Sequence, residues 1–184
     1  MDSTEEVAVF GMGCFWCTEA IFKSLKGVKS VDPGYAGGDL DYPNEFDVHA
    51  GYTGHAEVTR IHFDPNVISY KDLLEVFWNL HNPTSLNRQG NDVGVEYRSI
   101  ILYTSESQKE EAEESKKKLE ESKQYESPIV TAIIPLDKFF DAEDYHKEYY
   151  DKHKGDPYCE LIISPKLKHL KEKFASKLKE VNEE

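Results

Sequence analysis

A cysteine-containing turn between a predicted strand and a predicted helix constrains this chain more than any other feature. The apolar run at residues 7–12, VAVFGM, is typical of a buried strand, and Gly13 follows it. A helical pattern continues over residues 18–25. Cys14 is therefore predicted at or just before the first helical turn, where free backbone N–H groups and the helix dipole stabilise a thiolate. Since the thiolate is the nucleophilic form, this position favours a reactive cysteine.

Length, composition and charge predict a single acidic globular domain. A chain of 184 residues with 39% hydrophobic and 12% aromatic residues can bury a core without disulfide or metal support. Its 22 basic and 35 acidic residues give a net charge of −13. This charge argues against a nucleic-acid or anionic-membrane partner, because phosphate binding needs a basic patch. We expect one domain over residues 1–184, with residues 1–5 disordered.

Targeting signals and cysteine usage favour a cytoplasmic protein. No apolar stretch approaches the ~18 residues that cross a bilayer, so no membrane partner is expected. The acidic start, residues 1–6, is unlike a secretory or transit peptide. Three cysteines are too few for a secreted disulfide framework. We also expect a monomer.

Strand and helix patterns follow one another in mixed order, without internal repeats. Strands are predicted at residues 7–12, 28–31, 56–63, 97–104, 130–136 and 158–163. Helices are predicted at residues 18–25, 69–81 and 106–123, and from about residue 164. A turn at 33–38 and long loops at 39–54 and 82–96 connect them. This order indicates a two-layer α+β domain.

The local sequence around Cys14 and Cys17 leaves three interpretations open. Both can be small buried residues at the start of a helix. They can also form a redox dithiol, since Cys-x-x-Cys opening a helix is the thioredoxin-like arrangement. A zinc site would require two more ligands, and only Cys159 and scattered histidines are available. No metal site is predicted.

Six short segments, in order along the chain, distinguish between these interpretations. They are GCFW at 13–16, GYAGG at 34–38, TGHAEV at 53–58, FDP at 63–65, QGND at 89–92 and EYRS at 96–99. Together they resemble the A-type peptide methionine sulfoxide reductases, from about residue 7 to about residue 175. The resemblance implies a ferredoxin-like two-layer α/β sandwich with long loops and an extended C-terminal region.

The resemblance also implies a nucleophile and an acid. Cys14 matches the cysteine that attacks the sulfur of an S-configured methionine sulfoxide, free or in oxidised proteins. Glu57 matches the proton donor to the sulfoxide oxygen, which accumulates negative charge during the attack. Burial of Glu57 on its predicted strand would raise its pKa and let it donate near neutral pH. Without Cys14, an exposed residue or an ion-pair partner would be the favoured interpretation of Glu57.

Four further residues match the family's polar and apolar binding positions. Asp92 and Tyr97 match groups placed around the oxygen or a bound water; alone, they would be a turn residue and a half-buried strand residue. Phe15 and Trp16 match the pair expected to hold the ε-methyl group through apolar contact, although ordinary core packing would also explain them.

One segment departs from the family pattern. Glu45 stands twelve residues before Glu57, where the resemblance implies a tyrosine. Tyr42 is a shifted alternative donor, and the role is left unassigned. His49 stands where many relatives have a cysteine, so it cannot serve as a thiol.

After the attack, a Cys14 sulfenic acid is expected to condense with a second thiol. Cys17, one helical turn away, and Cys159 are both candidate resolving cysteines, and a relay through both is a third possibility. Thioredoxin or a similar dithiol would reduce the disulfide, so no cofactor is expected. The alternatives are a Cys14–Cys17 oxidoreductase acting on protein disulfides and a redox-regulated binding module.

Overall fold

A six-stranded mixed sheet lies at the centre of the computed structural model, which describes residues 4–180. The strands are β1 (Glu6–Met12), β2 (Val28–Ala36), β3 (Ala56–Phe63), β4 (Arg88–Gln89), β5 (Asp92–Val93), β6 (Ser99–Tyr103), β7 (Ala132–Pro135) and β8 (Phe139–Asp141). The α-helices are α1 (Phe15–Lys23), α2 (Glu45–His49), α3 (Tyr70–Asn79), α4 (Glu106–Glu121), α5 (Tyr149–Lys152) and α6 (Ser164–Phe174). Of residues 1–5, which we expect to be disordered, residues 1–3 lie outside the described part.

The strand order is β7-β6-β1-β3-β2-β8, and only β6 and β7 are parallel. The core on one face of the sheet joins the helices to β1: the Phe10 ring lies 5.6 Å from Phe22 of α1 and 5.0 Å from Phe77 of α3, centroid to centroid. The fold is thus a mixed sheet packed against helices, in agreement with the α+β prediction. Within residues 4–180, no helix is both long and apolar enough to cross a bilayer.

Local signals placed several elements correctly. The strand predicted at 56–63 is β3. Helix α3 begins after Ser69, whose side chain accepts from the Asp72 N–H while the Asp72 carboxylate accepts from the Ser69 N–H. Ser105 caps α4 in the same way, through the Gln108 N–H.

The predicted turn at 33–38 is wrong for its first part, because β2 continues to Ala36 between β3 and β8. Gly34 explains how the strand continues. A Cβ on Gly34 would lie 2.2 Å from the Phe139 ring and 2.6 Å from the Phe140 carbonyl oxygen. The glycine therefore serves close strand packing rather than a turn.

The predicted strand at 158–163 is also wrong. Cys159–Ile163 is a π-helical segment that continues into α6. Asp156 starts it: its Oδ1 accepts the Tyr158 N–H at 3.0 Å, and its carbonyl oxygen accepts the Glu160 N–H at 3.0 Å. The two long loops also hold short elements, α2 in the first and the β4–β5 pair in the second.

Candidate active site

The sheet delivers Cys14 to the first turn of α1, as predicted. Strand β1 ends at Met12, Gly13 adopts φ +104°, and Cys14 is the N-cap of the helix. The Cys14 carbonyl oxygen accepts the Cys17 N–H at 3.1 Å and the Thr18 N–H at 3.4 Å. These bonds place both thiols of the Cys-x-x-Cys motif on the same end of α1.

All three cysteines of the chain meet in one buried apolar cluster. Cys14, Cys17 and Cys159 are free thiols with exposed fractions of 9%, 1% and 0%. The Cys17 sulfur lies 3.8 Å from the Tyr158 hydroxyl. Both predicted resolving cysteines therefore lie in the same cluster as the predicted nucleophile.

The pKa values of the two thiols differ in the direction opposite to that expected from the position of Cys14 at the start of the helix. Burial raises the pKa of Cys14 well above its usual value, and a hydrogen bond to Cys17 and the nearby charge of Glu57 raise it further. The same hydrogen bond lowers the pKa of Cys17 to about 7, assisted by Lys166 and by the Tyr158 hydroxyl. Cys17 is therefore the more acidic thiol of the pair.

Glu57 lies on β3 with an exposed fraction of 2%. Its Oε1 accepts the Phe15 N–H of the first turn of α1 at 3.2 Å, and its Oε2 lies 3.0 Å from His49 Nε2. Burial raises the pKa of Glu57, while the bonds from His49 and Phe15 lower it. The pKa of His49 is raised by the same carboxylate. His49, dismissed as a thiol from the sequence, is the direct partner of the buried acid.

The two predicted oxygen-positioning residues lie on either side of the turn that follows β5. The Asp92 Oδ2 accepts the Tyr158 hydroxyl at 2.8 Å. Tyr97 packs against the cysteine cluster, and burial, followed by the charges of Glu57 and Cys14, raises its pKa. It is therefore a neutral hydroxyl, and it makes no hydrogen bond with any residue among 4–180.

Phe15 and Trp16 follow the nucleophile and have different surroundings. Phe15 is 2% exposed, and its ring packs 5.7 Å from that of Tyr35. The half-buried Trp16 stacks on Tyr149 with 3.6 Å between ring centroids and 4° between planes. Its indole N–H donates to His146 Nδ1 at 3.0 Å.

A C-terminal segment, residues 149–163, lies over this site, and we call it the C-terminal cover. It contributes Tyr149, Tyr158 and Cys159 to the surroundings of Trp16, Asp92 and Cys17. No sequence pattern predicted these contacts, because they join residues separated by more than sixty positions. An open groove of about 620 Å³ reaches Cys14 between the cover and residues 89–92.

Tyr42, the shifted alternative donor, lies at the surface. It is 87% exposed, and its ring packs edge-on against Phe140, whereas Glu57 is buried. Glu45, at the position of the expected tyrosine, has its Oε2 3.3 Å from His146 Nε2.

A buried thiol pair at a helix start, a buried carboxyl group and a third cysteine together define a thiol-dependent oxidoreductase. Residues 6–178 match the family model of peptide methionine sulfoxide reductase, and the chain belongs to this family.

Two archaeal relatives support this assignment over nearly the whole chain. The peptide methionine sulfoxide reductase of Sulfolobus acidocaldarius is 55% identical over 172 residues, which cover 94% of this chain and 97% of that relative. The corresponding protein of Saccharolobus solfataricus is 53% identical over 174 residues, covering 95% and 97%.

Solved structures agree with the fold. Mxr1 from Saccharomyces cerevisiae in its reduced form has a TM-score of 0.80 at 32% identity, covering 86% of this chain and 91% of that one. Methionine sulfoxide reductase A of Corynebacterium diphtheriae has a TM-score of 0.74 at 30% identity, covering 83% and 77%. Yeast Mxr1 in complex with Trx2 also matches, with a TM-score of 0.58 at 24% identity, covering 81% and 87%.

Proposed function

We propose that this protein reduces methionine S-sulfoxide, free or in oxidised proteins, through a Cys14 sulfenic acid and then an intramolecular disulfide. Such a reaction repairs oxidised proteins. The observation that carries the proposal is the convergence of the Cys14 thiol, the buried Glu57 carboxyl group and two further thiols at one end of α1. Disulfide exchange by a dithiol oxidoreductase does not require a proton donor aimed at a sulfoxide oxygen.

In the chemical step, the Cys14 sulfur attacks the sulfoxide sulfur while Glu57 protonates the sulfoxide oxygen. Burial raises the pKa of Glu57, which favours the protonated form that this role requires. Oxygen passes to the Cys14 sulfur, and two electrons pass to the methionine sulfur. The proton from Glu57 stays on the oxygen in the sulfenic acid, the proton lost by the Cys14 thiol restores Glu57 to its acid form, and methionine leaves.

The neighbouring side chains supply binding and orientation. Phe15 and Trp16 hold the ε-methyl group by apolar contact. Tyr97 donates from its neutral hydroxyl to the oxygen or to a water beside it. Asp92 orients donors at the same place, Tyr158 among them.

The sulfenic acid then condenses with Cys17 or Cys159 and releases water. Cys17 has the lower pKa, about 7, and lies one turn along α1. Cys159 is buried in the same cysteine cluster, within the helical segment of the C-terminal cover. Thioredoxin is the proposed reductant, since the disulfide needs a dithiol donor and yeast Mxr1 forms a complex with Trx2.

We further propose a ferredoxin-like topology, a single domain, a monomeric state and a cytoplasmic location. The order β6-β1-β3-β2, with α1 and α3 packed against one face, supports the topology. The acidic composition and the absence of a secreted-type cysteine framework support the location.

The test is the yield of methionine per enzyme from S- and R-methionine sulfoxide, before and after addition of dithiothreitol. Wild type, Cys17→Ser and Cys159→Ser are compared, and free thiols are counted after one turnover. We expect product from the S isomer together with loss of thiols. The variant that retains a sulfenic acid identifies the resolving cysteine. No product from either isomer, with intact reduction of insulin disulfides, would assign the chain to the dithiol oxidoreductases instead.

A further inference from the structure

The carboxylate of Glu45 lies next to a buried histidine that holds Trp16. Glu45 begins α2, and its Oε2 lies 3.3 Å from His146 Nε2. His146 is 2% exposed, and its Nδ1 accepts the indole N–H of Trp16 at 3.0 Å. Carboxylate, imidazole and indole therefore follow one another in a row that ends beside Cys14.

The bond from Trp16 determines which nitrogen of His146 carries the proton. Because Nδ1 accepts the indole N–H, the neutral imidazole must carry its own proton on Nε2. That nitrogen is buried and makes no hydrogen bond of good geometry with any described residue. Its closest carboxylate oxygen belongs to Glu45. The negative charge of Glu45 thus favours the tautomer that Trp16 requires.

A second carboxylate, Glu143, is already occupied. Its Oε1 accepts the Tyr35 hydroxyl at 3.1 Å, and its Oε2 accepts the Glu45 N–H at 3.3 Å and the Tyr145 hydroxyl at 3.2 Å. The distance from this oxygen to His146 Nε2 is 3.9 Å. Glu143 therefore caps the start of α2 and leaves Glu45 as the partner of His146.

We propose that Glu45 is a positioning residue for substrate binding, which orients His146 and through it fixes the indole of Trp16. Stacking on Tyr149 sets the plane of the indole, and the bond to His146 sets its rotation within that plane. The acid at the tyrosine position thus acts on the methyl-binding side of the site and not on the sulfoxide oxygen. This inference rests on the role of Trp16 given under the proposed function.

A divalent cation is the competing occupant of this cluster. The ligand atoms of Glu45, Glu143 and His146 all lie within 4.8 Å of one another. A metal on Nε2 would need the lone pair of that nitrogen, so the neutral ring would carry its proton on Nδ1. That proton would face the Trp16 indole N–H, and the bond between the two side chains would be lost. The Trp16 bond therefore opposes metal binding.

Glu45→Gln and Glu45→Ala separate these possibilities. Glutamine retains an acceptor for the Nε2 proton, whereas alanine removes it. Asp47→Ala is the matched control, since Asp47 is a half-buried acid on the same short helix, with Tyr52 rather than His146 as its partner. Single-turnover methionine formation gives the half-saturating sulfoxide concentration and the maximal rate. Trp16 fluorescence is read without substrate in a Trp78→Phe background, because the chain has 2 tryptophans.

We expect Glu45→Ala to raise the half-saturating concentration about 3- to 10-fold, because the buried Nε2 of His146 then loses its nearest acceptor. The maximal rate should change less than ~2-fold, since the contact serves binding. Glu45→Ala should also shift the Trp16 emission, and Glu45→Gln should restore both properties, while Asp47→Ala changes neither.

Three results would overturn the proposal. Equal losses of maximal rate in Glu45→Gln and Glu45→Ala would make Glu45 an acid for the oxygen. Unchanged binding and emission in Glu45→Ala would remove its role. A shift of wild-type Trp16 emission by Zn²⁺ or Mn²⁺ that Glu45→Ala abolishes would make the cluster a metal site. If the proposed function fails, the wild-type protein will form no methionine. The Trp16 emission would still show whether Glu45 orients the indole.

Discussion

Cys14 and Glu57 belong to a framework built differently from the segment that covers them. The framework comprises β1, α1 and β3, and β1 pairs with β3 from Glu6↔Phe63 to Phe10↔Thr59. The C-terminal cover consists of helical turns, and it contacts the framework through side chains such as Tyr149 on Trp16. Sheet ladders open rarely, whereas segments held by a few side chains open at lower free energy. We therefore expect the framework to hold the chemical centre fixed, and the cover to move and give access to the thiols.

Substitutions in the two regions should therefore cause different defects. Changes in the framework should abolish or slow the formation of methionine itself. Changes in the cover should leave the first methionine intact and alter access to the buried thiols. Cys159, 0% exposed, cannot exchange with an external dithiol unless the cover moves.

The largest effect is expected from Cys14→Ser. No methionine should form with thioredoxin or with dithiothreitol, because a serine hydroxyl cannot accept the sulfoxide oxygen as a sulfenic acid. The methionine yield per enzyme measures this directly, with thermal unfolding as the check that the fold persists. Normal turnover by Cys14→Ser would contradict the whole mechanism.

Glu57→Gln should slow the single turnover by about 100-fold or more, the usual contribution of a positioned general acid. Glutamine can still accept the Phe15 N–H through its amide oxygen, so the helix start should keep its place. Rapid quenching and quantification of methionine give the rate. A Glu57→Gln enzyme as fast as wild type would show that the oxygen receives its proton from elsewhere.

The framework was more predictable from sequence than the cover, for physical reasons. Residues 7–25 carry a local pattern in which strand, glycine and helix each have their own signal. The run at 158–163 is short and apolar, and such runs do not distinguish a buried strand from a buried helical turn. Asp156 followed by Pro157, which stands at the first helical position, was a local signal that favoured a helix there.

Two site residues that the sequence did not predict are held by contacts between distant parts of the chain. His49 faces Glu57 only because the chain reverses between α2 and β3. The bond from Trp16 to His146 joins residues 130 positions apart. Neither contact leaves a periodic or motif signal, so family resemblance gave Glu57 a role but left these partners unassigned.

A moderate effect, visible as a change with pH, is expected from His49→Asn. In the proposed mechanism the protonated form of Glu57 is the active one, so the single-turnover rate should fall as pH rises through the Glu57 pKa. His49 lowers that pKa by hydrogen-bonding the carboxylate. Loss of the imidazole should therefore raise the Glu57 pKa and move the alkaline limb of the profile to higher pH.

The pH–rate profile of single turnovers measures this shift. Glu57→Gln serves as the control, because it should lack the limb altogether. Disappearance of the limb in His49→Asn would mean that His49, and not Glu57, supplies the titrating proton.

The smallest effect tests the cover itself, through Tyr158→Phe. The Tyr158 hydroxyl donates to Asp92 Oδ2 at 2.8 Å and joins the cover to the start of β5. Loss of one hydrogen bond should increase the open population of the cover about 2- to 10-fold. Site-resolved alkylation of Cys159 in the native protein should accelerate by that factor.

The control Tyr52→Phe removes a tyrosine–carboxylate bond to Asp47, away from the cover, and should leave the alkylation rate unchanged. Equal alkylation rates in Tyr158→Phe and wild type would mean that the cover is as firmly held as the framework, and the distinction between the two regions would fail.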